Sequence, residues 1–269
     1  MYLEYYKLTD RPFNVTPDPK FLFLTEQHRT ALNHLLFGIQ QRKGFVLLTG
    51  EVGTGKTTLC RKLLASLGPE YHTALILNPV LTGTQLLRAV LEEFGLECTG
   101  RDRLKHLTLL NQFLLEVNLA GRDAVLIIDE AQDMSIELLE TTRLLSNLET
   151  DSHKLLQIVL VGQPELRQKL RSPRLRQLDQ RITVRYHLRP MSLTETGHYI
   201  RHRIRVAGGE GVLQFDDSAV EEVYRHSGGT PRLINAIGDK ALLAGYVRGT
   251  GLIDRDLVAM AVRELKEAA

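Results

Sequence analysis

The sequence predicts an α/β fold, in which a parallel five-stranded sheet is flanked by helices and followed by a small all-α domain. Up to about residue 190, continuous apolar runs of strand length alternate with amphipathic helical patterns. Strands of this kind are typical of parallel sheets that are covered on both faces. After residue 190, helical patterns follow one another with glycine breaks and no further strand between them.

The predicted elements divide the chain into two domains. The five predicted strands are 45–49, 74–78, 124–128, 155–161 and the more polar 182–188. The predicted helices of the first domain are 26–41, 55–67, 83–94, 102–119, 135–149 and 164–171. Those of the second domain are 192–207, 217–227, 231–247 and 254–268. We therefore expect an α/β domain of residues 1–190, with an irregular proline-containing arm at 1–30, and a helical lid of residues 191–269.

Residues 50–57 form the most specific motif of the chain. They read Gly-Glu-Val-Gly-Thr-Gly-Lys-Thr and fit the phosphate-loop pattern G-x-x-x-x-G-K-[ST] between a predicted strand and a predicted helix. Such a loop directs backbone N–H groups at phosphate oxygens, while its lysine reaches the β- and γ-phosphates and its last hydroxyl binds Mg²⁺. We therefore expect ATP and Mg²⁺ as ligands. The predicted contacts are Gly50, Glu51, Val52, Gly53, Thr54, Gly55, Lys56, Thr57 and Thr58.

Two carboxylates follow the third predicted strand. Asp129 and Glu130 come directly after the apolar run 125–128. Open α/β sheets bind their ligands at the carboxyl ends of the strands, so both side chains are expected near the phosphate loop. Asp129 suits the role of orienting Mg²⁺ through water, and Glu130 that of positioning the attacking water. This pair predicts a hydrolytic site.

Gln163 follows the fourth predicted strand. Its amide would emerge at the same sheet edge, where a polar side chain can sense the γ-phosphate of ATP. The alternative is an amide that only water contacts.

Together, the phosphate loop, the Asp-Glu strand end and the helical lid resemble the AAA+ ATPases. In more detail, the chain is similar to the general secretion pathway protein A (ExeA) family over about residues 1–265. The segments that carry this similarity are Phe13-Asn-Val-Thr-Pro-Asp-Pro, the loop 50–57, Asp129-Glu-Ala-Gln-Asp, Gly162-Gln-Pro-Glu-Leu, Asp179-Gln-Arg-Ile and Ser227-Gly-Gly-Thr-Pro-Arg. The TniB/TnsC transposition ATPases share the Asp-Glu-Ala core.

The resemblance implies roles for further residues. Arg181 matches the arginine finger that acts in trans on ATP held by a neighbouring subunit, and Arg176 is the alternative finger. Arg232 matches the second sensor, which reaches from the lid to the γ-phosphate. The segment from Phe13 to His28 matches the part that lines the adenine. A homo-oligomer, either a ring or a filament, is therefore expected.

A basic stretch leaves two functions open. Residues 167–205 contain eleven Lys and Arg against two acids, although the whole chain has a net charge of only +2. The excess is consistent with a solvated subunit interface or with an electrostatic footprint for nucleic acid. We favour an ATPase that drives assembly of a bacterial secretion or pilus-type envelope complex. The alternative is a transposition-type ATPase that assembles on duplex DNA.

The sequence also limits where the chain is expected to work. It contains no apolar run of the roughly 18–20 residues that span a bilayer, and no secretory signal pattern at its start. We expect a cytoplasmic location, with attachment to the inner face of the inner membrane through a partner or a C-terminal region outside this sequence.

Overall fold

The computed structural model describes residues 2–14, 18–100, 102–150 and 154–267. They form two compact units. The sheet unit comprises residues 27–51 and 59–188, and the helical unit comprises residues 1–26, 52–58 and 189–269.

The sheet unit is built on a five-stranded parallel sheet, which confirms the predicted fold class. Its strands are β1 (Phe45–Gly50), β2 (Tyr71–Ile76), β3 (Asp123–Ile128), β4 (Leu156–Gly162) and β5 (Ile182–Leu188). Their order in the sheet is β2-β3-β4-β1-β5. Every residue of β1 and β4 is buried, because helices cover both faces of these central strands.

Strand β2 begins earlier than predicted. The apolar run indicates residues 74–78, whereas the strand spans Tyr71–Ile76 and pairs residue for residue with Asp123–Ile128 of β3. Its first three residues are only half-buried, since β2 lies at an edge of the sheet. An edge strand does not need a continuous apolar run, so the apolar pattern alone misplaces its start.

Twelve helices connect and flank the strands among the described residues. In chain order they are α1 (Tyr2–Tyr5), α2 (Glu26–Gln40), α3 (Lys56–Ser66), α4 (Gly83–Glu93), α5 (Arg103–Leu119), α6 (Ile136–Leu145), α7 (Pro164–Leu170), α8 (Arg176–Arg181), α9 (Leu193–Val206), α10 (Asp217–Ser227), α11 (Pro231–Arg248) and α12 (Arg255–Glu267). Short 3-10 turns occur at Pro19–Phe21, Ala131–Asp133 and Pro173–Leu175. None of the helices in these ranges has the length and apolar content that crossing a membrane would need.

Side-chain caps fix where several helices of the sheet unit begin. The Thr82 hydroxyl accepts the backbone N–H of Gln85, whose side chain in turn accepts the N–H of Thr82. Asp102 caps α5 and Ser135 caps α6 in a similar way. Each cap satisfies backbone donors that the first helical turn leaves unpaired, and it stabilises the fold by about 1 kcal/mol.

The second predicted domain is not entirely helical. Besides α9 to α12, the helical unit contains a parallel pair of two-residue strands, β6 (Gln214–Phe215) and β7 (Leu252–Ile253). Backbone bonds from Gln214 N–H to Gly251 O and from Asp216 N–H to Ile253 O hold this pair together. Strands this short leave no periodic pattern in the sequence, so the all-α prediction misses them.

The N-terminal arm packs in the helical unit. Tyr6, Leu8, Phe13 and Phe21 are all buried in the core of that unit. The Tyr6 hydroxyl donates to Leu242 O at 3.0 Å and to Thr250 O at 3.1 Å, and burial raises the pKa of Tyr6 to about 12. The arm therefore contributes to the core of the C-terminal helices, whereas the sequence-based prediction assigns residues 1–30 to the α/β domain. Burying its aromatic side chains favours this packing.

A buried arginine ties the arm to α9. Arg203 is 7% exposed, and its guanidinium donates to Pro12 O, to Asn14 O at 3.2 Å and to the Tyr199 hydroxyl at 3.0 Å. It also lies over the Phe21 ring, 4.6 Å from the centroid. A buried charge is tolerated when its donors are satisfied in this way. Arg203, which belongs to the basic stretch 167–205, thus has a structural role inside the helical unit.

Candidate functional site

The carboxyl ends of three adjacent strands define the candidate site in the sheet unit. Thr49 of β1 pairs with Gly162 of β4, and Ile128 of β3 pairs with Leu160 of the same strand. Parallel strands in this register end at one edge of the sheet. The first residue of the glycine loop, the Asp-Glu pair and Gln163 therefore leave the sheet beside one another.

The acidic pair has an unusual backbone conformation. Asp129 is 1% exposed, and its Oδ1 atom accepts the backbone N–H of Glu130 at 2.9 Å. Glu130 adopts left-handed angles of φ 51° and ψ 36°. A non-glycine residue pays about 1 kcal/mol for this conformation, which is often found at functional sites.

Two amide side chains hold the Glu130 carboxylate. Gln132 Nε2 donates to Glu130 Oε2 at 2.7 Å, and Gln163 Nε2 donates to the same oxygen at 3.3 Å. The structure thus brings together Glu130 and Gln163, two residues that we predict as catalytic. Gln132 is absent from the sequence-derived site, because its place in the Asp-Glu-Ala-Gln-Asp segment gives no chemical signal of its own.

The glycine loop of the helical unit lies against the start of α11. Gly53 and Gly55 have φ angles of +78° and +96°, which side-chain-bearing residues rarely adopt. A Cβ atom at Gly53 would lie 2.8 Å from Arg232 Cβ and 3.1 Å from Thr230 Cγ2. The predicted second sensor, Arg232, therefore begins beside the predicted phosphate loop.

The other predicted loop residues differ in exposure. Thr54 and Lys56 are nearly fully buried, at 1% and 6% exposed, and Gly50 is also buried. Thr57 and Thr58 are half-buried in the first turn of α3, whereas Glu51 and Val52 are exposed. The burial of Lys56 sets it apart from the exposed lysines typical of protein surfaces.

The two residues expected at the adenine are both buried. Phe13 is 1% exposed in the helical unit, with its ring 5.8 Å from that of Phe215 and its atoms against Gly238. His28 is 5% exposed and belongs to α2 of the sheet unit. Contact of either residue with adenine stays a prediction.

The two arginine-finger candidates differ in their surroundings. Arg181 Nη1 donates to the Ser146 hydroxyl at 2.7 Å and to Asn147 Oδ1 at 2.6 Å. The Arg176 side chain is exposed and has no hydrogen-bonding or ionic partner in the described part of the chain. Arg181 is thus held at the end of α6, and Arg176 is not held.

The predicted Mg²⁺ ligands are of the right chemical type. No cluster of three or more His, Cys, Asp or Glu side chains able to hold a metal occurs among the described residues. Mg²⁺ bound with a nucleotide needs few protein ligands, since phosphate and water oxygens complete its shell. The Thr57 hydroxyl and the Asp129 carboxylate supply oxygen donors of the kind it prefers.

Comparison with known proteins identifies one domain family and one relative that are similar to this chain. Residues 39–170 match the AAA domain family. The chain is 48% identical over 266 residues to general secretion pathway protein A of Aeromonas hydrophila. This alignment covers 98% of the chain but 48% of the relative, so the chain spans about half of that protein's length.

Solved structures share the fold at low sequence identity. The ADP form of the Aeropyrum pernix ORC2 protein is similar with a TM-score of 0.70 and 18% identity, over 96% of this chain and 73% of that one. The RuvB Holliday junction branch migration motor of Thermotoga maritima is similar with a TM-score of 0.59 and 22% identity, over 90% and 70% of the respective chains.

The contact between Gly53 and α11 can be tested with two glycine substitutions. Gly211 also has a positive φ, of +83°, but a Cβ atom there meets nothing within 4 Å. We expect Gly211→Ala to cost about 1 kcal/mol of stability and to leave ATP affinity unchanged. Gly53→Ala adds a steric clash and should weaken ATP binding at least about tenfold. Urea unfolding and titration with a fluorescent ATP analogue measure both effects. Equal ATP affinities of the two variants would contradict a role for this contact.

Proposed function

Because the chain belongs to the AAA+ ATPases, we propose that it binds Mg-ATP and hydrolyses it to ADP and phosphate. The observation that carries this proposal is the Glu130 carboxylate, held by two amides at the end of β3. The resemblance to the general secretion pathway protein A family, stated from sequence, is confirmed by the 48% identity. The glycine loop with its buried Lys56 supports ATP as the ligand.

In the proposed reaction, Glu130 accepts a hydrogen bond from a water molecule and orients it toward the γ-phosphorus. The water oxygen forms a new bond to phosphorus, and the bond between the γ-phosphorus and the β,γ-bridging oxygen breaks. ADP leaves with that electron pair, and the water proton passes to Glu130 and then to the phosphate product. Lys56 and Arg232 neutralise charge on the phosphate oxygens. Thr57 and, through water, Asp129 would hold Mg²⁺, which would supply further charge neutralisation when bound.

Glu130→Gln tests the hydrolytic assignment. The amide keeps the shape of the side chain but cannot accept a proton from water, so kcat should fall by about 10²-fold or more while ATP still binds. Lys56→Ala is the contrasting variant, because it should lose ATP binding itself. Turnover by phosphate release and affinity by an ATP analogue separate the two effects. Undiminished turnover of Glu130→Gln would remove this residue from the mechanism.

We propose further that the active form is a homo-oligomer in which an arginine finger completes the neighbour's site. A guanidinium forks onto phosphate oxygens, and a finger supplied in trans is worth about 10³–10⁵ in rate. Arg181 is the predicted finger, although in the single chain it is bound to Ser146 and Asn147. Arg176, which has no such partner in the described residues, is the alternative.

Mixed assemblies identify the finger. We expect Arg181→Ala to keep ATP affinity, to lower turnover at least about 10²-fold, and to depress wild-type turnover below the average when the two are mixed. Arg176→Ala is measured in parallel. The double variant Ser146→Ala with Asn147→Ala is the control, since it removes the two side-chain partners of Arg181 and retains the arginine. Strictly additive turnover in every mixture would exclude a finger in trans.

We propose that ATP turnover drives assembly of a bacterial secretion or pilus-type envelope complex. The support is the similarity to general secretion pathway protein A, which extends over 98% of this chain. A cytoplasmic location at the inner face of the inner membrane, through an envelope-complex protein partner, fits this function.

Association with duplex DNA is the second candidate. A cavity of about 340 Å³ in the sheet unit is lined by Arg167, Arg171 and Arg185, with Asp179 as the one acid in its wall. Arg167 and Arg171 have no ionic partner in the described residues. Like charges one helical turn apart repel each other, and a phosphate group would relieve that repulsion.

DNA binding decides between the two candidates. For the favoured function we expect a Kd for duplex DNA no tighter than about 1 µM, with or without a non-hydrolysable ATP analogue. Fluorescence anisotropy at two salt concentrations measures it. Tighter, ATP-dependent binding would favour the DNA function if Arg167→Gln with Arg171→Gln weakens it and the exposed control Arg263→Gln does not.

A further inference from the structure

Gln132 links the ends of two strands through one side chain. It lies in the 3-10 turn Ala131–Asp133 that directly follows Glu130. Its Nε2 atom donates to Glu130 Oε2 at 2.7 Å, and its Oε1 atom accepts the backbone N–H of Gln163 at 3.0 Å. The Gln163 side chain closes the ring by donating to the same Glu130 oxygen at 3.3 Å. The end of β3 and the end of β4 are thereby joined by hydrogen bonds.

The surroundings of Gln132 are built to hold it in place. A Cβ atom at Gly162 would lie 2.9 Å from Gln132 Oε1, so the last residue of β4 must lack a side chain for the amide to lie there. The Lys169 ammonium group donates to Gln132 O and, at 2.8 Å, to Met134 O. These bonds fix the backbone of the turn. Both the amide and the backbone that carries it are therefore constrained.

The hydrogen bonds to Glu130 are unevenly divided between its two oxygens. Oε2 accepts both amide donors, whereas Oε1 has no hydrogen-bonding partner among the described residues. A carboxylate anchored through one oxygen presents the other in a fixed direction. A general base acts only if it lies in line with the proton it takes, so anchoring of this kind raises the fraction of productive geometries.

We propose that Gln132 is a positioning residue for hydrolysis, which aims Glu130 Oε1 at water by anchoring Oε2 and couples this aim to the end of β4 through Gln163. The inference rests on the proposed catalytic role of Glu130. The Gln132 amide donates to Glu130 Oε2 and, at 3.2 Å, to Asp133 Oδ2, and it accepts the backbone N–H of Gln163. The bonds to Glu130 and Gln163 distinguish Gln132 from a residue that only caps the turn.

Two substitutions of similar length separate positioning from structural support. Gln132→Glu keeps an oxygen that accepts the Gln163 N–H but replaces the amide donor by a second negative charge beside Glu130. Gln132→Met removes the donor and the acceptor without adding charge. We expect kcat for ATP hydrolysis to fall about 10-fold or more in both, and further in Gln132→Glu. The Kd for an ATP analogue should change less than about twofold in both variants.

A purely structural role predicts the opposite order of kcat for the two variants. Gln132→Glu retains the bond to Gln163, so its kcat would then stay closer to that of wild type than the kcat of Gln132→Met. Gln168→Glu on the exposed side of α7 is the matched control for the same chemical change, and its kcat should equal that of wild type. Thermal midpoints show whether each variant is folded. If Gln132→Met fails to fold, the kcat of Gln132→Glu relative to wild type and to Gln168→Glu still distinguishes a positioning role from a structural role.

The Glu130→Gln background distinguishes failure of this inference from failure of the proposed function. If Glu130→Gln abolishes turnover, Gln132→Glu added to it should cause no further loss, because the group that it misaligns is already inactive. A full additional loss would overturn the positioning role. Normal kcat of the single variant Gln132→Glu would also overturn it, whereas normal kcat of Glu130→Gln would refute the proposed catalytic role of Glu130 itself.

Discussion

The parallel pairing of β3, β4 and β1 is the constraint on which the candidate site depends. Neighbouring parallel strands end at one edge, so three segments that are far apart in sequence leave the sheet together. Each strand end then supplies a different group: the start of the glycine loop, the Asp129-Glu130 pair and Gln163. Buried side chains on both faces make this register costly to change, because a slip of one residue would exchange the side chains that pack on the two faces.

Several basic side chains bind oxygen atoms within the protein and are not simply surface charges. Within the basic stretch, Lys169 binds backbone carbonyls beside Gln132, Arg181 binds the end of α6, and Arg203 fastens the N-terminal arm. Each of these cations satisfies carbonyl or hydroxyl oxygens that would otherwise lack donors. A count of charges along the sequence therefore overstates the positive surface that a nucleic acid would meet. Arg167 and Arg171, at the 340 Å³ cavity, and the exposed Arg176 are members of the excess to which that explanation does not apply.

Features set by short-range pattern could be predicted, and features set by distant contacts could not. The central strands and the glycine loop follow from apolar runs and from residue spacing, and the structure shows them within a residue or two of the prediction. Arg203 reads as one more surface charge in sequence, because the Pro12 carbonyl that it binds is 191 residues away. The contacts of Gln132 could not be predicted for the same reason, since its place beside Gly162 depends on the pairing of β3 with β4.

The core of the helical unit is assembled from residues near both ends of the sequence, so its parts are synthesised at different times during translation. Its core combines Tyr6, Phe13 and Phe21 with helices that follow residue 189. At ribosomal rates of about 5–20 residues per second, the early aromatic side chains wait on the order of ten seconds for their partners. The sheet unit needs nothing beyond residue 188 and can close first. In the nascent chain, the aromatic arm is therefore synthesised well before the helices that bury it.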